Sequence, residues 1–74
     1  MRNAVIAALV CFKVVVASGG LNVRSEPCIS GLHRYTLDNR QIVAVLEEQD
    51  GWALVALNNS PDIPVGWACM DYLK

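Results

Sequence analysis

Gln41-Ile42-Val43-Ala44-Val45-Leu46 is the most strand-like run of the chain, rich in β-branched residues and free of Gly and Pro. On its N-terminal side stands the turn pair Asp38-Asn39, preceded by the extended-looking Tyr35-Thr36-Leu37. On its C-terminal side Glu47 to Gly51 reads as a turn, Trp52 to Leu57 as a second strand, and Asn58-Asn59-Ser60-Pro61-Asp62 as a loop dense in turn formers. Ile63 to Met70 then returns as the partner strand. Further upstream Leu21 and Val23 alternate with Asn22 and Arg24, the period of a half-buried strand, and Pro27 and Gly31 bracket a loop. Turn signals every eight to twelve residues, with no helical period of useful length, indicate a small all-β barrel or sandwich.

Alternation along these strands places Val43, Val45, Ala53, Val55 and Leu57 inward. It places Ile42, Ala44 and Leu54 outward, an unusually apolar outer face. Two readings of that face stand: a second chain or domain packs on it, or it carries scattered exposed aliphatics.

Size and composition bound the function. Seventy-four residues make one small domain. A chain this short buries only about 60% of its unfolded surface and has little left for a deep, dry pocket, which argues against an enzyme. At 54% hydrophobic and 18% charged residues the chain is too apolar to be disordered. The formal net charge is −1, and residues 21–74 carry four basic against seven acidic side chains, a balance of −3. Such a chain has no basic field to hold phosphates, so nucleic acid is not its partner. It recognises what it binds by shape, stacking and hydrogen bonds.

Cys11, Cys28 and Cys69 contain no C-x-x-C pair and are joined by a single histidine, His33, so a metal site is not expected. No residue pattern requires a cofactor. Cys28 with His33 does not make a nucleophile and base, because nothing supplies the third, orienting group. If Cys11 leaves with a leader, Cys28 and Cys69 remain as one disulfide pair. The other reading is three separate, partly buried small hydrophobes.

Residues 1–12 form an apolar N-terminal segment. Arg2 is followed by nine apolar residues, Ala4 to Phe12, then Lys13, then Val14 to Ala17. The pattern is that of a short or truncated signal sequence, with Val15-Val16-Ala17 as a small-residue cleavage site, interrupted by the charge of Lys13. No transmembrane span is expected, since a helix from Ala4 to Ala17 would reach about 21 Å against the ~30 Å hydrocarbon core. The competing reading makes Lys13 to Ala17 a strand that ends at Ser18-Gly19-Gly20. A working leader implies an extracellular or cell-envelope protein; a retained segment implies a cytoplasmic one.

Four short motifs carry a resemblance. Leu21-Asn22-Val23-Arg24-Ser25-Glu26-Pro27 resembles the opening L-N-V-R-S-G-P strand of the bacterial SH3-like domain family. Leu46-Glu47-Glu48 to Asp50-Gly51-Trp52 is similar to that family's V-L-E-x-x-x-G-W turn, Gly66-Trp67-Ala68 to its G-W-V, and Asp71-Tyr72-Leu73 to its closing D/S-Y-L. The resemblance covers residues 13–74. It implies a small, strongly bent SH3-like barrel of about five short antiparallel strands. It also implies a non-catalytic binding or targeting module that contacts cell-wall peptides or assists wall hydrolases. The sequence departs from the pattern at Glu26, where the family has Gly, and at Arg40, where a turn glycine is usual. Asn39, which tolerates a left-handed backbone, is expected to take over that geometry. The loop from Asn58 to Val65 is longer than the family's tight turn.

A binding surface for peptides or sugars needs flat rings and a few oriented polar groups. The resemblance places Trp52 and Tyr72 near the peptide groove of SH3-type barrels, with Cys69 between them. Trp52, Tyr72, Arg24, Asp71 and Trp67 are therefore the candidate ligand contacts. For each ring the alternative is core packing, most of all for Trp67. For Arg24 the alternative is a hydrogen bond to its own loop. The candidate partner is a cell-wall peptide or glycan. The rival is a protein partner docked on the face of Ile42, Ala44 and Leu54.

Overall fold

A computed structural model describes residues 11–74. Six strands follow one another: β1 (Cys11–Val14), β2 (Leu21–Arg24), β3 (His33–Leu37), β4 (Ile42–Gln49), β5 (Trp52–Leu57) and β6 (Pro64–Cys69). A 3-10 turn, Met70–Tyr72, follows β6. The strands form one sheet in the order β1-β4-β5-β6-β2-β3, with every pairing antiparallel. The domain is thus all-β, with one strand more than about five. Among the described residues no helix is long and apolar enough to cross a membrane.

The inward residues read from alternation do face inward. Val43, Val45, Ala53 and Val55 join Val15, Leu21, Val23, Leu37, Ala68 and Leu73 in one buried cluster, and Leu57 packs against its margin. Period-two alternation survives because β4 and β5 pair with each other over most of their length, so a slip of one residue would expose the whole set.

β4 is longer than the sequence suggested. Glu47, Glu48 and Gln49 continue it, and the turn shrinks to Asp50-Gly51, with φ of +51° and +85°. Two central residues at positive φ make a turn whose twist matches the flanking strands, and Asp-Gly is a preferred pair for it. That dipeptide was the overlooked signal. Glu47, Glu48 and Gln49 are all exposed, so this end of β4 runs beyond the core and accepts polar side chains on both of its faces.

The β3–β4 turn corrects the expectation for Asn39. Arg40 itself holds the left-handed backbone, with φ +78°, the value of the third residue in a type II turn. Its N–H donates to the Val15 carbonyl at 2.7 Å, so the strained residue is held by the strand segment beside it. Asn39 instead uses its side chain, whose Oδ1 accepts from the Ala17 N–H at 2.9 Å. A non-glycine residue at this φ costs ~1–2 kcal/mol, partly offset by the greater chain entropy of glycine. Arg40→Gly is therefore expected to stabilise the domain by about 0.5–1 kcal/mol, a rise of a few degrees in the thermal midpoint followed by circular dichroism. A lowered midpoint would show that the Arg40 side chain contributes more than its backbone costs.

β1 pairs with β4 in the register Cys11↔Val45, Phe12↔Ala44, Lys13↔Val43 and Val14↔Ile42. The Ala4–Val10 part of the apolar run and the signal-sequence reading of it lie outside the described residues. Beyond β1 the chain clips to its own end. Val15 bridges Leu73, the Val16 N–H donates to the Tyr72 carbonyl at 2.8 Å, and the Lys74 N–H donates to the Val14 carbonyl at 2.8 Å. These bonds fix Tyr72, a candidate ligand contact, to the barrel wall.

On the outer face Phe12, Ala44, Ala56 and Pro64 stand in one row across β1, β4, β5 and β6. Of the predicted apolar face, Ile42 is half exposed, Leu54 is half-buried, and Ala44 is fully buried and offers no contact to a partner; Phe12, not part of that prediction, is half exposed beside Ala44. A methyl group is small enough to be shielded by a larger side chain paired beside it, here Phe12.

Candidate functional site

The first groove lies where β2, β5 and β6 meet the closing turn. It has a volume of about 220 Å³ and is lined by Gly20, Leu21, Asn22, Arg24, Ile29, Trp52, Cys69 and Tyr72. Each wall follows from local structure. Leu21 and Val23 are buried in the core, so alternation turns Asn22 and Arg24 outward. Trp52 opens β5 directly after the Asp50-Gly51 turn and faces Cys69 of β6 in register. The Met70 N–H donates to the Gly51 carbonyl at 2.9 Å, which carries the chain from β6 over the hairpin and brings Tyr72 to the groove. Cys69 adds a small, soft side chain to the lining of the same groove.

Arg24 is half buried, and its Nη1 donates to the Gly31 carbonyl at 3.1 Å. The loop bond weighed for this residue is present, and Arg24 lines the groove as well. Its loop is well braced. The Ser25 N–H donates to the Leu32 carbonyl at 2.8 Å, the Leu32 N–H to Ser25 Oγ at 3.2 Å, and the Cys28 N–H to the Glu26 carbonyl at 2.8 Å. The loop therefore presents Ile29 as a fixed, 75% exposed apolar tip at the groove.

A second groove of about 200 Å³ is lined by Ser25, Arg34, Leu54, Pro64, Val65, Gly66 and Trp67. Trp67 is half buried and stands outside the core cluster, opposite Leu54 on one side and Arg24 on the other. Its ring belongs to a surface.

Three of the candidate contacts, Trp52, Tyr72 and Arg24, thus share the first groove, while Trp67 lines the second. Asp71 is exposed beside Tyr72 and lines neither. Asn22 and Ile29 were missed from sequence. Asn22 was legible, since it alternates with two core residues; Ile29 was not, because only the folded loop carries it to the rings. Cys11, Cys28 and Cys69 stand as free thiols, the first exposed and the other two half-buried, and Cys28 Sγ lies 3.4 Å from Ser30 Oγ. His33 is exposed at the start of β3, and its Nε2 lies 2.8 Å from Thr36 Oγ1.

No curated protein and no solved structure matches the chain. The bacterial SH3 domain family matches over residues 19–74, from the turn before β2 to the last residue. That span contains all four motifs, five of the six strands and every residue of both grooves, and on it the chain belongs to the bacterial SH3 domain family.

Proposed function

We propose that this domain is a targeting module of the bacterial cell envelope that holds a cell-wall peptide or glycan in the groove between Trp52 and Tyr72. The family supplies the general role, since its members are typically non-catalytic binding modules and often occur in cell-envelope proteins. The observation that supports the finer reading is the joining of two rings, one guanidinium and one amide in a single groove. Rings pack against the apolar faces of peptides and sugars, and the polar groups set their orientation. At about 220 Å³ the groove is smaller than the ~300–1,000 Å³ that enclose a whole drug-sized ligand, so it grips one part of a long polymer. A targeting module needs no more than that.

Trp52→Ala tests the reading. Trp52 is only half buried, so the fold is expected to persist. Sedimentation with purified wall sacculi is expected to fall roughly two- to tenfold, the worth of one aromatic contact. Unchanged sedimentation by a folded variant would remove the groove from the binding surface and leave the outer face of Phe12 and Ile42, a protein-docking surface, as the working one.

A further inference from the structure

The two grooves lie side by side on one face of the sheet. Trp52 and Leu54 are two residues apart on β5, Cys69 and Trp67 are two apart on β6, and the pairs Trp52↔Cys69 and Leu54↔Trp67 stand in register with no bulge between them. The first pair lines the first groove and the second pair lines the second. Two residues of strand cover about 6.5 Å, which is also the distance between alternate side chains of an extended peptide. One extended chain laid along this face would therefore set alternate side chains into the two grooves.

Charge narrows what that chain is. The protein as a whole is acidic, with seven Asp and Glu against six Lys and Arg. Yet among the described residues neither groove is lined by a carboxylate, and each is lined by one arginine, Arg24 in the first and Arg34 in the second. The bond from Arg24 Nη1 to the Gly31 carbonyl holds its guanidinium in place and leaves most of its five N–H groups for another acceptor. Arg34 sits in the β2–β3 bulge, where Val23 faces Tyr35 but Arg24 faces His33. The extra residue breaks the alternation and re-aims the side chain toward the second groove. Two forked donors in grooves without an acid suit ligands that carry carboxylates, which arginine binds in bidentate fashion.

We propose that the two grooves form one trough for an extended peptide bearing carboxylates, with Arg24 and Arg34 as its anion contacts. This rests on the wall-peptide reading above and adds a second subsite and a ligand charge to it.

The test uses the whole chain and two synthetic peptides, acetyl-Ala-Glu-Ala-Ala as the free acid and acetyl-Ala-Gln-Ala-Ala as the C-terminal amide. Titration followed by tryptophan fluorescence at low salt is expected to show the acid binding about tenfold more tightly, with the difference shrinking as salt screens the charges. Arg34 is exposed, so Arg34→Gln should keep its thermal midpoint. That variant is expected to lose several-fold of the preference for the acid, read as the ratio of its affinities for the two peptides. Equal affinities for the two peptides would overturn the inference. So would no binding of either up to about 10 mM, or a preference that survives Arg34→Gln. The wall-peptide reading is tested separately: loss of sacculus binding in Trp52→Ala together with equal peptide affinities would sink only the carboxylate trough, and unchanged sacculus binding would sink the wall-peptide reading itself.

Discussion

Gly66→Ala is expected to leave the domain unfolded or close to it. A Cβ at position 66 would lie 2.6 Å from Val23 Cγ1 and 2.7 Å from the Arg24 carbonyl oxygen, distances that real Cβ atoms essentially never show. Neither neighbour can yield. Val23 is fully buried in the core, and the Arg24 carbonyl is backbone of β2, the strand that β6 meets at Arg24↔Trp67. The backbone at Gly66 also has φ +147°, a region that side chains rarely adopt. Steric overpacking costs about 1–3 kcal/mol and the unusual backbone another ~1–3 kcal/mol. A described domain of residues 11–74 holds only about 3–10 kcal/mol, at roughly 0.05–0.15 per residue. The thermal midpoint of Gly66→Ala should therefore fall by 10 °C or more, at ~4–8 °C per kcal/mol, or the transition should vanish. Gly19→Ala is the control, since nothing lies within 4 Å of a Cβ placed there. A midpoint for Gly66→Ala within about 3 °C of the parent would mean that β6 can move away from β2 at little cost. The glycine of the Gly66-Trp67 motif is thus explained by close approach of two strands, and the tryptophan beside it by the groove that approach creates.

Leu37→Ala should be nearly as damaging. Leu37 ends β3, faces Leu21 in register and heads the largest side chains that are fully buried. Truncating a buried leucine removes its transfer energy and leaves a cavity, about 2–5 kcal/mol in all. In a domain with so thin a core this is a large share of the total. In urea the midpoint concentration should fall steeply while the slope stays the same, because the surface exposed on unfolding hardly changes. Leu32→Ala, in a residue 76% exposed on the β2–β3 loop, should stay within about ±0.5 kcal/mol of the parent. If the two leucine variants lost comparable stability, the core would not be centred where the buried cluster stands. The contrast matters for the site, because Leu21, the partner of Leu37, also lines the first groove. Weakening this corner should loosen the floor on which Asn22 and Arg24 are mounted.

What local sequence determined is everything that depends on periodicity and on turn chemistry. Strict alternation identified the inward set of Val43, Val45, Ala53 and Val55, because one face of a strand must leave water and the other need not. Turn formers marked each connection, although Asp50-Gly51 was read as the end of a longer turn and not as the whole of a tight one. The rings and the arginine were visible as the residues able to bind. Tertiary structure decided how they combine. Trp52 and Tyr72 are 20 positions apart and share a groove only because the Met70 N–H reaches the Gly51 carbonyl and the Tyr72 carbonyl accepts from Val16. Trp67, which composition would send to the core, is turned outward because its neighbours Gly66 and Ala68 take the buried positions of β6. Arg34 reaches the second groove through a bulge, and a bulge is a disagreement between two strands that neither sequence reveals alone. Periodicity is local and can be read residue by residue; register between distant strands is set only when the core closes.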